Sequence, residues 1–300
     1  MTGRILTWVG RAVAVVLGLA LVGAGVVYAA SERRLRATYD TTVDAVPVPT
    51  DQASVARGEH LARAVLDCTL CHGDDLGGSV YSSSAAIGTV AGPNLTHGKG
   101  GLAADYADLD YVRAIRRGVR RDGRSLIVMP SEVFTHVSQE DLGAVLAYLK
   151  QVPPVDRAVP KSGFGPVGRA LLASGKMNIL VAGKTPRLTP PASVPPDTTP
   201  AYGKYLADIS GCHGCHGYGL SGGKVAGPPG LPPAANLTPT GIGRWTEADF
   251  TRALRDGRRP DGRQLNEFMP WKVFRGMTDA EIHALWRYLQ SVPPKTFGNK

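Results

Sequence analysis

The chain has 300 residues, 43% of them apolar and 20% charged, with a formal net charge of +9. These proportions suit two average globular domains or one large one, and exclude a disordered tail, a collagen-like chain and a wholly membrane-embedded protein. The positive balance raises nucleic-acid or anionic-surface binding, but aromatics at 7% and scattered Lys and Arg supply no stacking platform, so no nucleic-acid partner is expected.

From the N-terminus, residues 12–30 are an uncharged apolar run, close to the ~20 residues that a helix needs to cross a bilayer. A membrane anchor over residues 1–36 is expected. The competing reading is a cleaved signal peptide with Val27-Tyr-Ala29 as a poor small-residue site. Both readings export the chain beyond residue 31. Arg4 and Arg11 precede the run and Arg33, Arg34 and Arg36 come after it, so charge counting sets no orientation. Residues 37–52, with Pro47 and Pro49, read as an extended spacer.

A first unit, 53–154, recurs with small gaps at 200–294, so the chain contains a duplication. Arg57-Gly-Glu-His-Leu-Ala leads into Cys68-Thr-Leu-Cys71-His72, and Asn94-Leu-Thr lies beyond it. Val112-Arg-Ala-Ile-Arg-Arg-Gly118 reads as a helix ended by its glycine. Asp122-Gly-Arg and Met129-Pro130 come next. Ser138-Gln-Glu-Asp141 then opens a closing helix with the hydroxyl-and-acid pattern of a capping box or a close variant. Its apolar residues, Leu142, Val145, Leu146 and Leu149, fall at helical spacing, and Val152-Pro-Pro stops it.

The segment 155–199 is rich in proline and reads as a linker that cannot be a continuous helix or a central strand. Its apolar patches, Leu171-Leu172 and Ile179-Leu-Val181, imply that it packs along its neighbours. The second unit, 200–300, repeats the pattern in order. It has Tyr202-Gly-Lys-Tyr-Leu-Ala, Cys212-His-Gly-Cys215-His216, Asn236-Leu-Thr, Thr251-Arg-Ala-Leu-Arg-Asp-Gly257, Asp261-Gly-Arg and Met269-Pro270. The closing helix after Thr278-Asp-Ala-Glu281 carries Ile282, Leu285, Trp286 and Leu289. Strand signals are weak, because β-branched alternation is short and glycine-rich loops separate the helical stretches. The expected fold class is all-α, with two tandem domains after an N-terminal transmembrane helix.

All four cysteines lie in the two Cys-x-x-Cys-His motifs, the signature of covalent c-type haem attachment. Residues three apart share a helix face, so Cys68 with Cys71, and Cys212 with Cys215, can each form two thioethers to one porphyrin. A single zinc site from both pairs would have to join two separate repeats, and a thioredoxin-like dithiol lacks its βαβ setting. Two haem c groups are therefore expected, with His72 and His216 as iron ligands on one side. Met129 and Met269, in register and each held extended by the proline after it, are the expected sixth ligands. His60, His97, His136 and His283 have no histidine counterpart in the other repeat and read as surface or packing residues. Arg113 with Arg252, and Arg124 with Arg263, are open to two readings, haem-propionate partners or a solvated basic face. The Pro93 carbonyl is a candidate acceptor for the proximal imidazole, with Pro228 or Pro233 in the second repeat.

In these marks, CTLCHG and CHGCHG, GPNLT and AANLT, DGR, MP and the closing AYL and RYL helices, the chain resembles the class I cytochrome c family. It is similar to two-haem members akin to the cytochrome subunits of membrane-bound bacterial dehydrogenases, many of which carry three haem modules. The resemblance implies a small helical domain per haem, His and Met ligation, and electron transfer in the periplasm by a single-pass inner-membrane protein. It also implies redox partner proteins, a donor and an acceptor, and a place as a subunit of a larger membrane complex. The alternative is a dihaem enzyme, a peroxidase or a sulfur-compound dehydrogenase; a haem sensor would need an output domain, and none is evident.

Overall fold

The computed structural model describes residues 2–225, 227 and 230–298. Helix α1 (Thr2–Leu35) is long and apolar enough to cross a membrane, and its apolar window is entirely unburied. The spacer after it is extended but not a free tether. Tyr39 N donates to the Gly123 carbonyl at 2.8 Å, and Val46 is buried.

In the first repeat, α2 (Gln52–His60) runs on through a π-helical turn, Leu61–Val65, to α3 (Cys68–His72). Strands β1 (Ser79–Ser84) and β2 (Gly88–Gly92) come next, then α4 (Asp108–Val112), continued by a second π turn, Arg113–Arg117. Helices α5 (Ser131–Phe134) and α6 (Gln139–Leu149) close the repeat. The linker forms β3 (Gly163–Phe164) and α7 (Pro166–Ala173). The second repeat has α8 (Pro200–Ile209), α9 (Cys212–His216), α10 (Pro239–Ile242), α11 (Glu247–Asp256), α12 (Trp271–Phe274) and α13 (Asp279–Ser291).

The expectation of an all-α fold needs one correction, a three-stranded antiparallel sheet of order β1-β2-β3 on the first repeat. Its strands leave little trace in the sequence because β1 is mostly exposed serine and shows no apolar face of period two, while β3 arrives from the linker. Among the described residues the second repeat has no strand, only isolated bridges between Gly223 and Ala234 and between Arg258 and Gln264.

The local signals otherwise work as read. Gly118 and Gly257 end their helices in the left-handed region, at φ 62° and 67°. Thr278 and Glu281 form a complete capping box at α13. Ser138 caps α6, accepting from Asp141 N at 3.0 Å. The predicted apolar positions of α6 and α13 are buried, with Trp286 half-buried. Proline content alone does not signal a helix inside the linker, yet α7 forms with its proline in the first turn, where the missing N–H costs nothing.

Two matched helix crossings carry the repeats. Alpha-helix α2 lies on α6, and α8 on α13, so closely that a Cβ at Gly58 would collide with the Ala144 carbonyl and one at Gly203 with the Ala284 carbonyl. Gly58→Ala and Gly203→Ala should each destabilise the protein by about 1–3 kcal/mol through overpacking. Thermal unfolding of the purified protein, followed by circular dichroism, measures this; unchanged midpoints would show that the crossings can spread without cost.

One contiguous cluster of buried side chains runs through both repeats, from Leu61, Val65 and Leu146 to Leu206, Ile209 and Leu285. The repeats also exchange polar groups. Arg57 donates to Asp141 Oδ1 at 3.0 Å and Oδ2 at 3.2 Å, and reaches the second repeat at Glu281 Oε1 (3.3 Å) and the Tyr202 hydroxyl (3.1 Å). His60 Nε2 lies 2.7 Å from Glu281 Oε2. Conversely, the Tyr205 hydroxyl donates to Asp141 Oδ2 at 2.7 Å and accepts from Ser138 N at 3.1 Å. Positions 60 and 205, aligned in the duplication, thus each bind the capping acid of the other repeat's closing helix. His60, read from the sequence as a surface or packing residue, belongs to this buried junction.

Candidate cofactor sites

Both Cys-x-x-Cys-His segments fold as a single helical turn, α3 and α9, entered from a left-handed residue. That residue is Asp67 at φ 56° in the first repeat and Gly211 at φ 74° in the second. Each turn is left through a glycine, Gly73 or Gly217, at φ 78° or 79°. Glycine takes such angles without a steric penalty, and aspartate is among the few other residues that tolerate them. The sharp entry and exit isolate one turn, which puts both sulfurs and the imidazole on one side.

The loop beyond each turn is pinned identically. Leu76 N donates to Gly73 O, and Leu220 N to Gly217 O, both at 2.9 Å. Asn94 and Asn236 each accept from a backbone N–H two residues on, Thr96 or Thr238, at 2.9 Å. Their amide nitrogens donate to the chain beyond the closing helix, Val155 O at 2.7 Å and Lys295 O at 2.8 Å. This staple fixes the residue before each asparagine, whose carbonyl is the acceptor for the imidazole. His72 Nδ1–H donates to Pro93 O and His216 Nδ1–H to Ala235 O, both at 2.8 Å. In the second repeat the acceptor is therefore Ala235, not Pro233; Pro228 lies outside the described residues. Ala235 stands immediately before Asn236, as Pro93 stands before Asn94, and serves equally because only the backbone carbonyl is required there. For His72, the bond holds the proton on Nδ1 and so leaves Nε2 its lone pair, while burial lowers the imidazole pKa and favours the neutral ring.

In the second repeat Cys212, Cys215, His216 and Met269 all line one cavity of about 730 Å³. Its wall is otherwise largely apolar, with Trp245, Phe250, Leu254 and Leu285 among its residues. Arg259 and Arg263 stand at this wall, so the propionate reading stays open for Arg263, and Arg259 joins it as a residue the sequence reading missed. Arg252 pairs instead with Asp249. A concave apolar space of this size, with two thiols on one side, a histidine and a thioether on its wall and guanidinium groups beside it, fits a covalently held porphyrin.

In the first repeat Cys68 and Met129 pack against the shared hydrophobic cluster. Cys71 is fixed through its carbonyl, which accepts from Ser79 Oγ at 2.8 Å. Burial pushes the thiols up, to about 12 for Cys68 and Cys212 and about 11 for Cys71. Burial likewise pushes the Asp67 carboxyl up to about 7, and its Oδ1 has no hydrogen-bond partner. Arg113 is committed elsewhere, donating to Thr41 O at 3.0 Å and Asp110 Oδ1 at 2.8 Å, and Arg124 pairs with Asp122 at 3.6 Å.

The two methionine loops differ in what surrounds them and in local backbone. Both methionine carbonyls accept from the second residue on, Ser131 N or Trp271 N, at 2.8 Å. Only the first loop is covered by the linker, where Val128 N donates to Ile179 O at 2.9 Å and Ile127 bridges Leu180. Val128 is held there at φ 68°, an unfavourable angle for a β-branched residue immediately before Met129.

A family model described as cytochrome c matches residues 55–153 and 200–293. The cytochrome subunit of fructose dehydrogenase from Gluconobacter japonicus is 29% identical over 275 residues, covering 83% of this chain and 54% of that protein. The cytochrome c subunit of the quinone alcohol dehydrogenase from Gluconobacter oxydans is 30% identical over 291 residues, 81% of this chain and 55% of that one. A diheme cytochrome c-type protein of Cereibacter sphaeroides is 29% identical over 268 residues, 79% of this chain and 86% of its own length. The chain spans about half the length of the two dehydrogenase subunits.

Proposed function

The chain belongs to the cytochrome c family and carries two covalently attached haem c groups, and from that premise we propose that it is a membrane-anchored dihaem carrier of single electrons on the periplasmic face of a bacterial inner membrane. Each haem c, when bound, supplies an iron that takes up and gives back one electron. Cys68 and Cys71 would hold the first haem, with His72 and Met129 as the side chains for its iron; Cys212 and Cys215 would hold the second, with His216 and Met269 for its iron. The observation that carries this reading is the convergence of Cys212, Cys215, His216 and Met269 on one apolar cavity. Its counterpart is the matched backbone geometry around Cys68, Cys71 and His72. A histidine and a methionine for each iron would leave no position for a substrate or peroxide, which favours a carrier over a peroxidase.

The donor fitting the relatives' names is a membrane-bound dehydrogenase, with this chain as its electron-accepting cytochrome subunit and a second redox protein as acceptor. Alpha-helix α1 serves as a retained single-pass anchor, and the packing of its last turns on α7 supports retention over cleavage. Replacement of Met269 by histidine tests the ligation. Thioether ligation favours the ferrous state relative to a second imidazole. Met269→His should therefore lower the potential of one haem and leave the other nearly unchanged in a spectroelectrochemical titration. The unmodified ferric protein should show the near-infrared sulfur-to-iron band and no sustained peroxide turnover. A high-spin resting iron with rapid peroxide turnover would make the enzyme reading the better one.

A further inference from the structure

The end of the anchor is gripped by the globular part. Ser31 is fully buried, and Arg169 of α7 donates to Ser31 Oγ at 2.9 Å and to Glu32 Oε2 at 3.1 Å. The Arg169 guanidinium carbon also lies 4.3 Å from the centroid of the Tyr28 ring. Tyr28 is part of the apolar run, and at ~1.5 Å of rise per residue Ser31 is only about 4.5 Å further along the axis. Alpha-helix α7 therefore sits at the depth where hydrocarbon gives way to headgroups, a depth suited to a tyrosine ring.

The other side of α7 is joined to the β1–β2 hairpin. The Ala86 carbonyl accepts from Val167 N at 3.0 Å and Gly168 N at 3.2 Å, and the Ile87 carbonyl accepts from Gly165 N at 3.0 Å. The hairpin tip thus satisfies N–H groups that the start of α7 leaves unpaired. Ala85, Ala86, Ile87, Pro166, Val167 and Ala170 are all exposed on this joint surface. None bears a charge, and the only ionisable side chain of α7, Arg169, is turned to α1. A surface helix in water ordinarily carries polar groups on its outer face. Arg33, Arg34 and Lys176 are exposed beside this patch, and Arg34 lies against Gly175 just past α7, giving a cationic rim suited to phosphate headgroups.

We infer that the hairpin tip and α7 form an interfacial foot that rests in the headgroup region of a phospholipid bilayer beside the exit point of α1. The inference rests on α1 being a retained anchor. Its consequence reaches the first haem site. Beta-strands β1 and β2 pack on α3, and Ser79 ties β1 to Cys71. Foot, sheet and haem-attachment turn are therefore one mechanical piece, and the first haem is carried at a fixed height and tilt above the membrane.

The test uses the full haem-loaded chain in nanodiscs of zwitterionic and anionic phospholipid. Nitroxide labels go on single Ile87→Cys, Val167→Cys, Leu19→Cys and Tyr218→Cys variants, with the haems kept ferrous so that they do not relax the labels. Tyr218 is 92% exposed and serves as the water reference, and Leu19 lies within the apolar run. The ratio of oxygen to nickel-chelate accessibility should be several-fold higher at Ile87 and Val167 than at Tyr218, and highest at Leu19. Because an added cysteine can disturb haem attachment, a photoactivatable phospholipid in discs holding the unmutated chain provides a second measurement. Its adducts should fall on peptides covering 85–87 and 166–170. Water-like values at Ile87 and Val167 with lipid-like values at Leu19, or adducts absent from those peptides but present in α1, would overturn the foot and leave the anchor standing. Water-like values at Leu19 as well would overturn the anchored reading itself.

Discussion

Alanine at both Cys212 and Cys215 should yield a chain with one haem and an unfolded second repeat. On the proposed assignment the second haem would fill the cavity of about 730 Å³ that Phe250, Leu254 and Leu285 line. Empty core space costs about 24 cal/mol per Å³. Even if collapse or solvent entry recovered most of that cost, the remainder would rival the ~5–15 kcal/mol that stabilises a whole domain. Intact mass should show one haem addition instead of two, and limited proteolysis should cut first within 200–298. The first repeat should lose stability too, because it shares a hydrophobic cluster with the second. A protease-resistant second repeat without haem would show that its core closes unaided.

Arg57→Ala should lower stability by about 3–5 kcal/mol, the range for removing one partner of a buried charge cluster. Asp141 and Glu281 are both buried, and each would keep a partner, Tyr205 or His60, but lose the guanidinium that neutralises them. Burial works to raise the Glu281 carboxyl, but the hydrogen bond and charge of His60, the Thr278 N–H and the Arg57 charge together outweigh it and hold the acid below its ordinary 4.5. An acid depressed in the folded state contributes stability above its unfolded pKa and loses it as pH falls through the folded value. The loss caused by Arg57→Ala should therefore be largest near neutrality and shrink in acid. Denaturant unfolding of the haem-loaded protein at several pH values measures this, and a loss that does not depend on pH would assign Arg57 a packing role only. Since the junction joins the repeats, the variant should also separate one unfolding transition into two.

The junction marks the limit of what sequence spacing reveals. Ser138 with Asp141 has the spacing of a capping box, and the closing helix does start there. Yet the Ser138 N–H is satisfied by the Tyr205 hydroxyl, which enters between the two and then donates to the shorter aspartate. Where the acid is the longer glutamate, at Glu281, the box closes on its own residues. The alignment placed His60 opposite Tyr205 but could not say that both reach across the duplication, because their partners lie 221 and 64 residues away. The sheet was missed for a similar reason: Gly88 and Thr89 pair with Phe164 and Gly163, which local propensity does not reveal.

What the amino-acid sequence determined by itself is the chemistry that depends on short spacing. Two sulfurs and an imidazole within five residues specify covalent haem attachment, glycines specify the left-handed exits, hydroxyl residues specify the helix starts, and the apolar run specifies α1. Each of these is settled by groups within a few bonds of one another, so order along the chain is enough. The tertiary structure alone decided which carbonyl orients His216, how the linker holds the Met129 loop, how Arg57 and His60 join the repeats, and how Arg169 binds the end of α1. In each case the partner is distant in sequence and contributes a backbone carbonyl, a carboxylate or a hydroxyl brought into place by packing. Residue identity carries no mark of such a partnership, because any residue has a carbonyl and any acid can accept a hydrogen bond; only the path of the folded chain selects the one that does.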